Sequence, residues 1–279
     1  MVNKYKKNVF VLVIFVLVVF VLTIQWFIYL FNKPVKENFS DQLTNKTKAF
    51  YINLDKNNTR NLNLIESYNN SDLKEMLLSR FSAIVGKNVD LEQWLTPQAI
   101  IQVNQTEKTK KRTHHYQLTR GAVGCFLSHY FLAKQLLKES SEVEYYLIFE
   151  DDINFNQNIL SEIKRYLSVA PSDWDIIHFS NTRKTNYSME GDFFKPAGFW
   201  GMLSYILNKK GAEKIVKEVE ANKIDGQIDA YLSRMIQQDK INIYIANKRL
   251  IYYINNGSDI QTPIYNTIDN PFNYKGYFV

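Results

Sequence analysis

Three consecutive acids, Glu150-Asp151-Asp152, directly follow residues 145–149, an apolar run with the length of a buried β-strand. In open α/β sheets, ligands bind beyond the carboxyl ends of the strands. Carboxylates crowded at such an end repel one another unless a cation or a solvent-exposed turn relieves the repulsion. Hard oxygen ligands suit Mg²⁺ or Mn²⁺, which in turn holds a substrate diphosphate. A plainer interpretation stays open, in which the acids form a polar turn or cap the next helix.

A second pair of acids, Asp225 and Asp229, is separated by four positions near the C-terminal part of the chain. If this segment is helical, both side chains project from one face and could take part in catalysis. Asp225 could equally be the N-cap of the helix. The spacing alone leaves both interpretations open.

The histidines and the single cysteine show no familiar catalytic pattern. Neither a His-Glu-x-x-His pair nor a phosphate-binding loop, a dinucleotide fingerprint or a Gly-x-Ser-x-Gly elbow is present in the sequence. His129 and His178 fall within a predicted helix and a predicted strand, where a core or supporting role is the usual one. With Cys125 alone, an intramolecular disulfide is impossible, and we expect no cysteine-based zinc site. Its apolar neighbours favour a buried thiol.

The elements that position these residues alternate between strand and helix patterns. This alternation predicts an α/β sandwich with a mostly parallel central sheet. Apolar runs predict strands at 49–54, 80–86, 145–149, 175–179 and 241–245, with a Gly-interrupted apolar stretch at 198–207. Helical spacing occurs at 61–68, 72–78, 124–137, 158–167 and 209–219, and residues 224–237 are predicted to form a loop and then a helix.

Residues 9–31 form a nearly unbroken apolar run, long enough to span a membrane. Lys4, Lys6 and Lys7 precede it, which favours a cytoplasmic tail at 1–8 and a retained signal anchor. We therefore expect a single-pass type II membrane protein with a stem at 32–48 and a catalytic domain at 49–279. Its compartment would be the Golgi or endoplasmic reticulum lumen in a eukaryotic or viral host, and the inner membrane in a bacterial one.

The composition is that of an ordinary folded protein, with 46% hydrophobic and 22% charged residues. The net charge is +6, which could attract an anionic partner. Because no long basic block occurs, the lysines and arginines are interpreted as scattered surface residues, and no nucleic-acid partner is predicted.

The sequence resembles glycosyltransferase family 25, which includes lipooligosaccharide and collagen hydroxylysine galactosyltransferases. The similar blocks follow the family's order and cover roughly residues 50–250, nearly the whole predicted soluble body. They are Asn53-Leu54-Asp55 with Arg60, Arg80-Phe81-Ser82-Ala83, residues 118–129 (LTRGAVGCFLSH), residues 147–152 (LIFEDD), Trp174-Asp175-Ile176-Ile177, residues 201–205 with 210–214, and Ile224-Asp225.

The resemblance implies an inverting transferase with a GT-A fold and a nucleotide-sugar donor, commonly UDP-galactose. Its acceptor would be a glycan, a lipid-linked saccharide or a protein. Glu150 and Asp152 become a DxD-like pair for Mn²⁺ or Mg²⁺, with Asp152 the direct ligand, and Asp225 becomes the candidate base, with Asp229 as a second catalytic candidate. The residues implied to contact or support the donor are Asn53, Leu54, Arg60, Arg120, Gly121, Ser128, His129, Glu150 and Asp151.

Two departures from the family pattern leave other functions open. Ala122 stands where the family signature has a glutamate, and no histidine follows His178, although a late histidine ligand is common in GT-A enzymes. One alternative is a catalytically degenerate, membrane-anchored relative that binds sugar. The other is a nucleotidyltransferase, which also uses strand-end carboxylates and Mg²⁺.

Overall fold

The computed structural model describes residues 44–113, 117–180 and 184–254. The helices in this part of the chain are α1 (Asn58–Asn69), α2 (Leu91–Trp94), α3 (Pro97–Thr109), α4 (Arg120–Leu136), α5 (Ile159–Ser168), α6 (Lys209–Asn222) and α7 (Ile228–Gln237), with 3₁₀ turns at Asp72–Glu75 and Gly86–Asn88. The strands are β1 (Thr47–Asn53), β2 (Leu78–Ser82), β3 (Tyr145–Glu150), β4 (Ile153–Phe155), β5 (Ile176–His178), β6 (Lys184–Thr185), β7 (Ser188–Glu190), β8 (Phe193–Lys195), β9 (Gly198–Phe199), β10 (Ser204–Asn208), β11 (Ile243–Ala246) and β12 (Ile251–Tyr253).

Eight of these strands form one sheet in the order β2-β1-β3-β10-β5-β11-β8-β7. β1 pairs in parallel with both β2 and β3, and β11 pairs in parallel with β5. β10 is antiparallel to β3 and β5, and β8 is antiparallel to β11 and β7. Since only β10 and β8 of this sheet run against the other strands, the predicted α/β class with a mostly parallel sheet is confirmed.

The side chains of β3 alternate between two apolar layers, as strand geometry requires. Tyr146 and Ile148 pack in the cluster that contains the buried face of α4. Leu147 and Phe149 pack in the cluster on the other face, with side chains of α1 and α5. All four are at most 1% exposed. The strand is therefore buried on both faces, and its polar continuation emerges at the edge of the sheet.

The first turns of α4 lie directly against the loop that follows β2. A Cβ atom built on Gly124 would lie 2.3 Å from the Ile84 carbonyl oxygen and 2.8 Å from the Gly86 nitrogen. Ser128 Oγ accepts a hydrogen bond from the Ile84 amide at 2.9 Å and donates one to the Gly124 carbonyl at 2.8 Å. Only glycine permits this approach of two backbones, so the docking of α4 depends on Gly124.

Two local expectations differ from the structure. The helix predicted at 72–78 is wrong. Only Asp72–Glu75 is helical, as a 3₁₀ turn, and the chain then enters β2. The Asp72 carboxylate accepts hydrogen bonds from the Leu160 and Ser161 amides, 2.7 and 2.9 Å away, and so caps α5 rather than a helix of its own. The β7–β8 hairpin was not expected, since its strands are three residues long and β7 is exposed.

The predicted membrane span at residues 9–31 lies outside the described residues and stays a prediction. None of the helices that the structure describes has the length and hydropathy needed to cross a membrane.

We expect Gly124→Ala to lower the free energy of unfolding by about 3 kcal/mol, because the added methyl group meets backbone atoms that cannot move aside cheaply. Urea unfolding followed by circular dichroism measures this difference. Lys138→Ala, an exposed position just beyond the same helix, is the control and should stay within about 0.5 kcal/mol of wild type. Equal stability of the two variants would contradict the close packing of α4.

Candidate active site

The acidic triplet lies where β3 ends, between β1 and β10. Ile52 of β1 is paired with Glu150 of β3, so Asn53, the last residue of β1, lies beside Asp151. The carboxyl ends of these two parallel strands therefore bring an amide and three carboxylates to the same edge of the sheet. This is the edge at which open α/β sheets bind ligands.

Asp151 is the one acid of the triplet whose two oxygens are both engaged by cationic or amide donors. Asn53 Nδ2 donates to Asp151 Oδ2 at 2.6 Å, and Arg60 NH1 donates to Asp151 Oδ1 at 3.0 Å. Arg80 Nε donates to Asn53 Oδ1 at 2.9 Å and fixes the orientation of the amide. Burial raises the pKa of the Asp151 carboxyl group, while Asn53 and Arg60 oppose the rise. Asp151 thus joins β3 to β1 and α1.

Asp152 is in a different situation. Its Oδ1 atom is buried and has no hydrogen-bond partner among the residues that the structure describes. Arg60 NH1 lies 3.9 Å from its Oδ2 atom, too far for a hydrogen bond. Burial, and then the charge of Glu150, raise the pKa of Asp152 to about 8. A divalent cation would relieve this repulsion, so the donor set fits the Mn²⁺ or Mg²⁺ that the sequence predicts.

Glu150 projects towards α4, on the face of the sheet opposite to the one where Asp151 meets α1. Its Oε1 atom lies 3.5 Å from Nε2 of His129, and the Nδ1 atom of that histidine is 2.8 Å from the hydroxyl oxygen of Tyr205. The Cys125 thiol, one turn earlier on α4, belongs to the same group of ligand atoms. The expectation of no cysteine-based zinc site stays a prediction, since these atoms are potential ligands and the structure holds no ion.

The other residues implied at the donor site have contacts within the fold. Arg120 NH1 donates to the Val89 carbonyl at 2.8 Å, and its Nε atom lies 3.2 Å from Glu107 Oε2. Ser128 is fully buried, and Gly121 is the second residue of α4. The Leu54 carbonyl accepts from the Asn57 amide in the turn after β1. These contacts dock α4 and close the turn, and a role for these residues at the donor stays a prediction.

Asp225 and Asp229 do not share a helical face. α7 begins at Ile228 with Gln227 as its N-cap, so Asp225 precedes the helix and is not its cap. Asp225 is exposed and forms an ion pair with Arg234.

Asp229 lies in the first turn of α7. Its Oδ2 atom accepts from the Gly201 amide at 2.8 Å, in a turn where Gly201 has φ of +81°. Burial raises the pKa of the Cys125 thiol, and the charges of Glu150 and then Asp229 raise it further. Asp229 is therefore near enough to the Cys125 thiol to act on it electrostatically, as Glu150 does.

A family model described as "Glycosyltransferase family 25 (LPS biosynthesis protein)" matches residues 46–232, well over half of the chain. The chain belongs to glycosyltransferase family 25. The match begins just before β1 and ends within α7, so it includes the triplet, α4 and Asp229.

Several curated relatives carry the family 25 name. A "Glycosyltransferase 25 family member" of Drosophila pseudoobscura is 31% identical over 132 residues, which cover 45% of this chain and 21% of the relative. A Drosophila melanogaster member is 25% identical over 222 residues, which cover 77% of this chain and 34% of the relative. "Procollagen galactosyltransferase 1-B" of Xenopus laevis is 28% identical over 144 residues, which cover 48% of this chain and 23% of the relative. The matched segment of this family 25 chain thus spans a minor part of each relative.

One solved structure that aligns with the chain is the crystal structure of a glycosyltransferase involved in the glycosylation of the major capsid of PBCV-1. It is 8% identical with a TM-score of 0.42, and the alignment covers 76% of the family 25 chain and 94% of that chain.

Two buried residues lie behind the triplet: Tyr205, which the sequence did not single out, and His178, whose expected core position is confirmed. Tyr205 of β10 is paired with Ile148 of β3 and with His178 of β5, so its ring lies behind Glu150. Neither ring nitrogen of His178 has a hydrogen-bond partner within the described ranges. Burial, and then the charge of His129, lower the pKa of His178 to about 3, so its ring is neutral at physiological pH. The apolar stretch at 198–207 was the available signal for Tyr205.

We expect Asp152→Asn to change the pH dependence of stability in a chelated, metal-free sample. The folded-state pKa of Asp152 is about 8 against an ordinary value of 3.8. Between these values the folded state binds more protons than the unfolded chain, so the wild-type free energy of unfolding falls as pH rises. The variant should equal wild type near pH ~4 and exceed it by a few kcal/mol above pH ~8. Urea titrations across this range measure the difference.

Asp55→Asn provides a control of opposite sign. A hydrogen bond from Ser82 and then one from Arg80 lower the pKa of Asp55. This group therefore stabilises the fold above its ordinary pKa, and that contribution disappears as pH falls through the lowered folded-state value. The control should be less stable than wild type at neutral pH and equal to it in strong acid. If the free energies of unfolding of Asp152→Asn and wild type had the same pH dependence, the proposed crowding of the triplet would be refuted.

Proposed function

We propose that this chain is an inverting, metal-dependent glycosyltransferase of the GT-A type, which moves a hexose from a UDP-sugar to a hydroxyl group of a glycan, glycolipid or protein. The observation that carries the proposal is the difference in hydrogen bonding between two neighbouring acids. Asp151 is hydrogen-bonded by Asn53 and Arg60, whereas Asp152 keeps a buried oxygen without a partner in the described part of the chain. Family membership and the galactosyltransferase names of relatives support galactose as the hexose.

Glu150 and Asp152 are the residues that would hold Mn²⁺ or Mg²⁺. When bound, such a cation acts as a Lewis acid that neutralises charge on the departing nucleoside diphosphate. Arg60, which lies between Asp151 and Asp152, adds a fixed positive charge on the same edge of the sheet. Its position suits stabilisation of phosphate oxygens.

Asp229 is our candidate for the base that accepts the proton of the acceptor hydroxyl group. An inverting displacement needs one such group and no covalent intermediate on the protein. Asp229 accepts a hydrogen bond from the Gly201 amide and acts electrostatically on the Cys125 thiol, which lies near Glu150. Asp225, by contrast, is paired with Arg234 at the surface. The geometry therefore favours Asp229 over Asp225, the candidate that the family resemblance suggests.

We expect Asp152→Ala to lower kcat/KM for sugar transfer by about a thousandfold or more, since loss of the cation removes several kcal/mol of transition-state stabilisation. The full chain is assayed with Mn²⁺ and a panel of UDP-sugars, and both UDP and pyrophosphate release are measured. Glu220→Gln, which changes an exposed acid of α6, is the control and should keep wild-type turnover.

Unchanged turnover in Asp152→Ala would reject the metal assignment. Release of pyrophosphate instead of UDP would identify a nucleotidyltransferase. Absence of Mn²⁺-dependent UDP binding by calorimetry would identify a degenerate relative that binds sugar without transferring it.

Replacing the two acids of the α7 region separates the candidate bases. Asp229→Asn retains an oxygen for the Gly201 amide but cannot accept a proton, so kcat should fall by about a hundredfold or more with little change in KM. Asp225→Asn should have a much smaller effect, because Asp225 is exposed and paired with Arg234. Steady-state kinetics on both variants decide between them, and the reverse order of effects would assign the base to Asp225.

A further inference from the structure

Three potential metal ligands of different chemical type converge on the α4 side of the triplet. One sulfur atom of Cys125, one ring nitrogen of His129 and one carboxylate oxygen of Glu150 all lie within 4.8 Å of one another. Cys125 and His129 are four residues apart in α4, so they project from the same face of the helix. Glu150 reaches the same point from the end of β3. We call this group the Cys-His-Glu cluster.

The environment of His129 is the second observation that indicates a ligand at this cluster. The residue is 3% exposed, and its Nε2 atom has no hydrogen-bond partner among the described residues. That atom lies 3.5 Å from Glu150 Oε1, which is beyond the usual length of a hydrogen bond. A buried ring nitrogen without a partner needs an explanation, and a cation between the imidazole and the carboxylate supplies one.

Tyr205 orients the His129 imidazole for metal binding. His129 Nδ1 lies 2.8 Å from the Tyr205 hydroxyl oxygen, in the buried layer between α4 and β10. The tautomer that donates Nδ1–H to this oxygen leaves the lone pair of Nε2 directed at the cluster. Metal-binding histidines are commonly oriented in this way by a second hydrogen-bond partner.

The local charge also favours a cation. Four carboxylates act on the Cys125 thiol electrostatically, namely Glu150, Asp229, Asp152 and Asp151. Because the imidazole is buried and the thiol is only partly exposed, this negative charge is screened less than it would be in water.

We infer that Cys125, His129 and Glu150 bind one thiophilic divalent cation of the Zn²⁺ class. This cation is distinct from the oxygen-ligated cation proposed above, for which Glu150 would be a shared ligand and Asp152 an unshared one. One sulfur, one imidazole nitrogen and one carboxylate oxygen are the ligand types of zinc, and three protein ligands leave a fourth position open. Mg²⁺ and Mn²⁺ prefer oxygen ligands and are poor competitors for a thiolate. A Zn²⁺ ion held here fixes Glu150 and reduces the negative charge beside Asp152. The inference needs only the Cys-His-Glu cluster and does not rest on the transferase activity.

Cobalt titration of the purified full chain, free of any added histidine tag and stripped with a chelator, tests this site. Co²⁺ replaces Zn²⁺ and reports a bound thiolate through a charge-transfer band in the near ultraviolet. Cys125 is the only cysteine of the sequence, so the band can arise from no other residue. We expect a band that saturates at one equivalent and disappears when Zn²⁺ is added.

Variants then assign the ligands. Cys125→Ser should abolish the band, and His129→Gln should weaken Co²⁺ binding strongly. Tyr205→Phe should keep the band while weakening binding about 10–100-fold, because only the orienting hydroxyl group is lost. Asp152→Asn is the matched control. It changes the neighbouring acid but not the cluster, and it should keep the band.

A measurement on the wild-type chain does not depend on the folding of any variant. Zn²⁺ should protect the Cys125 thiol from a maleimide, whereas Mn²⁺ should not. Saturating Co²⁺ binding without the charge-transfer band, equal affinity in Cys125→Ser, or loss of the band in Asp152→Asn would each overturn the inference. Failure of Mn²⁺-dependent UDP binding with the cobalt band intact would reject the proposed transferase function alone.

Discussion

The rest of the site depends on the repulsion among three carboxylates at the end of a strand that is buried on both faces. Strand alternation sends neighbouring side chains in opposite directions, and the fold provides a different environment for each. Asp151 meets Asn53 and Arg60 on the α1 side, while Glu150 meets His129 on the α4 side. Asp152 is left with a buried oxygen that no described residue satisfies. Hydrogen bonds and charge thus oppose the repulsion most strongly at Asp151 and least at Asp152, where only the more distant Arg60 opposes it.

The position of α4 follows from backbone contacts rather than from its charged residues. Gly124 and Gly86 allow the helix to approach the loop after β2, and Ser128 binds the Ile84 amide. Several residues of the family signature at 118–129 therefore serve the docking of α4. Correct docking in turn carries Cys125 and His129 to Glu150. In this segment, one set of residues fixes the helix so that another set can reach the ligand-binding edge.

Features with a strong local period were predictable from the sequence. The runs at 145–149 and 124–137 specify β3 and α4, because burial on one or two faces leaves a clear apolar pattern. The sheet order, the antiparallel direction of β10 and the short β7–β8 hairpin were not, since they depend on pairing between distant segments. The loop and helix predicted at 224–237 are confirmed, but the spacing of Asp225 and Asp229 did not show where the loop ends. A bridge between Leu95 and Ile224 holds the chain extended just before Asp225. The acidic triplet was found, but not the Cys-His-Glu cluster, because Glu150 belongs to a different element from Cys125 and His129.

The contrast between Asp72 and Asp152 separates acids that build the fold from acids that bind ligands. Asp72 lies just beyond α1 and Asp152 just beyond β3, and both are partly buried. The two oxygens of Asp72 accept hydrogen bonds from the amides that open α5, so its charge stabilises the folded chain. Asp152 destabilises the folded chain at neutral pH, because its raised pKa reports an ionised form that the protein does not accommodate. A group that costs stability and has a buried, unpartnered oxygen at a ligand-binding edge is best explained by a cation that completes it.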